Sequence, residues 1–184
     1  MQRPSPSSTS GPPMAEGDAA AAEPVPVGLL RLGWMVAIVV LVADQAHKWW
    51  MLKVWRLAEG QRVTVLPFLD FVYVKNLGIS YRLFTQDGHL GQWLLTGFAV
   101  VAVALLTLWL RTGVTTRLLA VSVGLIIGGA IGNAIDRVLI GGVADFFSLH
   151  AFGFYWYVFN IADVAIVAGV IGMLWDSLVT SRKA

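Results

Sequence analysis

Cysteine is absent from this 184-residue chain. That excludes disulfide cross-links, thiolate nucleophiles and cysteine-ligated metals. Charge is scarce too. Only 13% of the residues are Asp, Glu, Lys or Arg, far below what the surface of a soluble domain of this size carries. The net charge of +2 is too small to imply nucleic-acid binding. Neither an H-E-x-x-H helix nor a G-x-S-x-G turn occurs, so zinc hydrolysis and an elbow serine are poorly served. Ser80 and Ser148 lack a lysine at a recognisable spacing, and His47, His89 and His150 are scattered enough to read as ordinary interfacial polar residues.

What is abundant is apolar sequence. Hydrophobic residues make up 57% of the chain, and run length predicts four spans at about 27–49, 93–110, 118–135 and 158–175. About 20 residues at 1.5 Å rise cross a hydrocarbon core of about 30 Å. The class is an all-α integral membrane protein, a four-transmembrane-helix bundle. Residues 1–27, rich in Pro, Ser, Ala and Gly, read as a disordered tail; 28–178 form the membrane domain, and 179–184 a short C-terminal tail. Trp34, Trp109 and Trp175 fall toward one membrane face, while Trp49, Trp50, Trp55, Trp93 and Trp156 fall toward the other, as interfacial belts do. Positive charge does not orient the bundle. Arg3, Arg31, Arg111, Arg117, Arg182 and Lys183 on one side nearly balance Lys48, Lys53, Arg56, Arg62, Lys75, Arg82 and Arg137 on the other.

Four spans bring the end of the first, the start of the second, the end of the third and the start of the fourth to one face. Asp44, Asn76, Asn133, Asp136, Arg137, Asp145, Asn160 and Asp163 all lie there. In the first connection, 63–66, then Pro67, then 68–75 read as two short strands joined at a proline. Residues 48–57, with three tryptophans among basic residues, read as an interfacial segment. A small sheet on the membrane surface could hold a substrate strand by edge pairing or serve as a structural cap. Gly124, Gly128 and Gly132 give the third span a small-residue face for close helix approach.

Ionisable groups at membrane depth are costly and mark functional sites. Asn133 and Asp136 share a helix face, Gly141-Gly142 breaks that helix, Asp145 returns in an apolar setting, and Asn160 and Asp163 repeat the three-residue spacing. Two carboxylates sharing a site hold one proton between them across neutral pH, the arrangement of aspartic proteases. Asp145 and Asp163 are the candidates, with a helix cap and an internal hydrogen bond as the structural alternative. Asp136 reads as a charge partner of Arg137 or a helix-end group, Asp44 as the polar end of the first span, and Asp176 as solvated. Beside a non-catalytic membrane adaptor that binds a partner through the strand pair, a competing function is a proton or ion pathway through the same carboxylates. It is disfavoured because no polar trail leads along the spans to the other face.

The strings Asp44-Gln45-x-x-Lys48, Asn76-x-Gly78, Gly132-Asn133-x-x-Asp136-Arg137, Val143-x-Asp145-Phe146 and Phe159-Asn160-x-Ala162-Asp163 occur in an order and spacing that resembles the lipoprotein signal peptidase family, signal peptidase II. The resemblance runs from about residue 29 to 176. It implies an aspartyl endopeptidase of the bacterial cytoplasmic (inner) membrane, with both termini cytoplasmic, an extracytoplasmic β-sheet cradle and an active site near that outer face. Such an enzyme cuts the signal peptide from a prolipoprotein just before a cysteine carrying diacylglycerol. By the same resemblance Asp145 and Asp163 form the catalytic dyad, while Asn76, Gly78, Asn133, Arg137 and Asn160 support the dyad or hold substrate. Asp44, Gln45, Lys48 and Asp136 match structural polar positions. The implied partners are diacylglyceryl-modified prolipoproteins, membrane lipid and a globomycin-type inhibitor. No metal or organic cofactor is implied, and a monomer suffices. The chain departs from the family pattern at His47, Tyr81, Arg82 and Tyr157, which bears on substrate handling and not on the carboxylates.

Overall fold

The computed structural model describes residues 24–78 and 89–182. The tail expected over 1–27 lies outside the described residues up to position 23, as do Ser80, Tyr81 and Arg82. Four helices are long and apolar enough to cross a membrane: α1 (Val27–Trp49), α2 (His89–Thr112), α3 (Arg117–Ile140) and α4 (Ile161–Ser181). The fourth begins at Ile161 and not at 158, because Phe159 is still paired with Phe147 in an antiparallel bridge and Asn160 caps the helix. The expected interfacial segment continues α1 as one π-helical turn, Trp50–Val54. Its Met51 is buried, while Trp49, Trp50 and Trp55 are exposed.

Helix α3 is the centre of the bundle, and its glycines explain why. A Cβ on Gly128 would stand 2.5 Å from the Ala37 carbonyl oxygen of α1, and one on Gly132 would stand 2.6 Å from the Asp44 carboxylate. The expected stripe therefore seats α1. A second set serves α4: Gly129 faces the Ala162 carbonyl and Gly169 the Ser122 carbonyl, at 2.5 and 2.6 Å from the Cβ each would carry. Backbones this close leave no room for a methyl group. Gly128→Ala is expected to lower stability by about 1–3 kcal/mol through overpacking, read as a fall in the thermal unfolding midpoint in detergent. An unchanged midpoint would show that the α1–α3 contact yields freely.

Beside the bundle lies a four-stranded antiparallel sheet in the order β1-β2-β3-β4. Strands β1 (Arg62–Leu66) and β2 (Leu69–Asn76) are the expected pair and turn at Pro67-Phe68. Strands β3 (Val143–Ala151) and β4 (Phe154–Tyr155) were not legible as strands. Val143 to Phe146 are all buried, so the start of β3 lacks the apolar–polar alternation that marks a half-exposed strand. Pairing of Asn76 with Val143 and of Val74 with Asp145 fixes the sheet over the polar end of the bundle.

Candidate active site

The polar end is built in two layers. In the lower one, Lys48 on α1 is buried between two carboxylates: Asp44 one turn before it at 2.8 Å, and Asp136 on α3 at 2.7 Å. Each carboxylate also ties down a backbone. Asp44 accepts from the Ala162 N–H in the first turn of α4 at 3.0 Å, and Asp136 accepts from the Ala144 N–H of β3 at 3.0 Å. Gln45 donates to Asp44, to Asp136 and to the Gly132 carbonyl. Asp136 thus turns to Lys48 and not to Arg137, as the sequence had suggested. Successive helical residues point about 100° apart, and the lysine across the helix interface is the cation within reach. Asp176 is also corrected. It is partly buried and accepts from Thr116, the N-cap of α3.

The upper layer holds the two candidate acids. Asn133 links the layers, and its orientation follows from Lys48: an ammonium tolerates only oxygen, so Asn133 Oδ1 faces Lys48 at 3.3 Å and its Nδ2 is left to donate to Asp163 at 2.8 Å. Asn160 is oriented by its role as helix cap. Its Oδ1 accepts from the Asp163 N–H at 2.9 Å, and Asp163 returns a bond to the Asn160 N–H at 3.2 Å, a reciprocal capping box. The Asn160 amide is then free to donate to Asp145 at 2.6 Å and to Asn133 at 3.1 Å. The other Asp145 oxygen accepts from Asn76 at 3.0 Å, and Asn76 is held in turn by the Gly78 N–H at 2.8 Å. Gly78 has φ of +72°, which favours glycine. The spacing of Asn160 and Asp163 is thus a capping motif and not the helical face expected.

Asp145 and Asp163 therefore meet through one residue, Asn160, whose side-chain amide donates to the Asp145 carboxylate and whose backbone N–H donates to the Asp163 carboxylate. Their environments differ. Asp145 is buried, and burial pushes its carboxyl up to about 7. The nearby Asp163 charge adds to the rise, while hydrogen bonds from Asn76 and Asn160 and the charge of Lys48 oppose it. Asp163 is partly exposed on a cavity of about 550 Å³ beside Phe159 and Val164. Asp145 borders another of about 510 Å³ beside Gly78 and Tyr157.

Arg137 donates to the Asn133 carbonyl at 3.1 Å, and its buried Nε has no partner among the described residues. His47 is not the polar interfacial residue expected. It is half-buried and stacks on Phe147 with ring centroids 4.8 Å apart, beside Phe71 and Phe146. A cluster the sequence did not disclose clasps the sheet: buried Asp70 on β2 accepts from Arg62 of β1 at 2.6 Å and lies 3.2 Å from His150 of β3. His150 is thereby a cross-strand partner. The strand register that brings these three together cannot be read from local spacing.

Four membrane-length helices with an acid-rich end define the class first: a multi-pass integral membrane enzyme. The family model described as signal peptidase (SPase) II matches residues 36–179. A lipoprotein signal peptidase of Methylorubrum extorquens is 49% identical over 154 residues, covering 84% of this chain and 90% of that one. One of Rhodopseudomonas palustris is 51% identical over 154 residues, covering 82% and 93%. In structure the chain is similar to a bacterial membrane enzyme solved by the in meso method at 1.9 Å, with a TM-score of 0.71, 25% identity, and coverage of 86% of this chain and 97% of that one. The chain belongs to the signal peptidase II family and is an aspartic-type peptidase.

Proposed function

We propose that the protein removes signal peptides from bacterial prolipoproteins, cleaving before the diacylglyceryl-modified cysteine, with Asp145 and Asp163 acting on a water molecule. The observation that carries this reading is the double role of Asn160, whose side-chain amide donates to a carboxylate from a strand, Asp145, and whose backbone N–H donates to one from a helix, Asp163. Asp145, the more deeply buried, keeps the shared proton at rest; Asp163, beside the larger cavity, is the base. Asp163 takes a proton from water as the oxygen attacks the scissile carbonyl carbon, and Asp145 gives its proton to the carbonyl oxygen. On collapse, the proton on Asp163 passes to the departing nitrogen, the C–N bond breaks, and a hydroxyl proton returns to Asp145.

Asn76 and Gly78 hold Asp145, Asn133 holds Asp163, and Arg137, whose Nε has no partner among the described residues, binds the substrate backbone. A globomycin-type inhibitor occupies the same ground. One chain supplies every group, so a monomer is sufficient. The dyad lies toward the C-terminal end of α1 and the N-terminal end of α4, which puts both termini on the opposite face. With the dyad outside, the termini are in the cytoplasm.

The test is purified protein in lipid with a diacylglyceryl-modified prolipoprotein. Signal peptide is expected to be released, and the unmodified precursor to stay intact. Vesicles that move protons while the prolipoprotein remains uncut would overturn the reading. The pH profile supplies a second check. Asp145 is raised above its ordinary value, so the folded state binds its proton more tightly than the unfolded chain does. Activity is expected to be highest on the acid side of neutrality and to fall as pH rises, with an apparent pKa of about 7. Between the ordinary carboxyl value of 3.8 and about 7, rising pH lowers stability, and the penalty is complete above the upper value. An alkaline limb several units higher would show that the dyad proton does not reside on Asp145.

A further inference from the structure

The β3–β4 hairpin carries aromatic surface that the proposed chemistry does not use. Phe152 at its tip is fully exposed, and Phe154, Trp156 and Tyr157 are 65%, 60% and 87% exposed. Residues 151–158 contain no charged side chain. The turn itself is strained. Phe152 has φ of +50° and precedes Gly153 at +81°, and a two-residue turn of this hand strongly prefers Asn or Asp at its first position. A phenylalanine kept in the left-handed region, with its ring in the open, is costly unless the ring has an apolar place to go.

The place is indicated by α4. Val164 and Val167 on that helix are 52% and 57% exposed, and apolar side chains on the outer face of a membrane span meet hydrocarbon. Both valines line the same cavity, about 550 Å³, as Phe154 and Trp156. Val167 lies six residues into α4, about 9 Å along its axis. The hairpin therefore does not stand away from the bundle; it overhangs the lipid-facing side of the last span. Tyr155 is held back by Arg62, whose guanidinium carbon lies 5.0 Å from its ring centre.

We propose that the hairpin inserts its aromatic tip into the leaflet at the polar end of the bundle, with bilayer phospholipid as the partner. Amphipathic rings favour that zone, where one edge is wet and the body apolar. Insertion sets the height of the sheet, and with it the height of Asp163 on the same cavity, relative to the headgroups.

The lack of cysteine makes the test direct. Phe152→Cys, Phe154→Cys and, as an aqueous reference, Gln61→Cys each give one site for an environment-sensitive fluorophore. The labelled proteins are reconstituted into phosphatidylethanolamine–phosphatidylglycerol vesicles. At positions 152 and 154 the label is expected to be quenched by phospholipid spin-labelled near the headgroup, and to be at least about threefold less sensitive to aqueous iodide than at position 61. Iodide quenching at 152 and 154 equal to that at 61, without lipid quenching, overturns the proposal. The measurement reads depth without substrate, so it stands or falls separately from the peptidase reading.

Discussion

Asp145→Asn and Asp163→Asn are each expected to reduce signal-peptide release by about 10³-fold or more while helix content in detergent stays at the parental level. The chemistry accounts for the size of the loss. An asparagine at 163 cannot take a proton from water, and one at 145 cannot give one to a carbonyl oxygen. The geometry explains why the fold survives. Both carboxylates are held by amides and backbone N–H groups and not by buried cations: Asn76 and Asn160 at Asp145, Asn133 and the Asn160 N–H at Asp163. An introduced amide leaves one donor facing another donor, a local cost of about 1–3 kcal/mol. Prolipoprotein cleavage and circular dichroism on the same samples provide the check. Parental turnover by either folded variant would remove that residue from the dyad.

Lys48→Met is expected to cost about 3–5 kcal/mol of stability, because it leaves buried carboxylates without their cation. The lysine is 3% exposed, and its two partners, Asp44 and Asp136, lie within 2.8 Å. Its loss also removes one of the two donors, the other being the Asn160 amide, that hold the Asn133 oxygen away from Asp163. Activity should therefore fall together with stability. The triple variant Lys48→Met, Asp44→Asn, Asp136→Asn removes the buried charges altogether and is expected to recover part of the stability, though not the activity. Thermal unfolding in detergent decides. A single variant as stable as the parent would show that these carboxylates are not strictly dependent on Lys48.

The features legible in the sequence are those set by local rules. Apolar run length discloses four helices, the four-residue glycine spacing discloses the face that meets α1, and Pro67 between two alternating runs discloses β1 and β2. The ordered strings around Asp145 and Asp163 bring both acids to one end. What stayed hidden depends on partners distant in the chain. Asp136 finds Lys48 on another helix, Asp44 caps α4, and Asp70 gathers residues from two neighbouring strands. Strand β3 was masked by burial on both faces at its start. Asn160 and Asp163 have the spacing of a helical face, but the chain uses it to begin the helix. Local periodicity cannot distinguish the two, because residues three apart are also the N-cap and N3 positions.

One bond has a consequence for biogenesis. The carboxylate of Asp44, near the end of α1, is completed by an N–H at Ala162, in the first turn of α4, which leaves the ribosome well after it. The acid at 163 sits in that same turn. A nascent chain halted before this turn lacks the acid proposed at 163 and has an unfinished latch at Asp44, so the proposed proteolytic capacity waits for α4 to be threaded into place. The docking of α4 on α1 thereby sets the moment at which the proposed cleavage can begin.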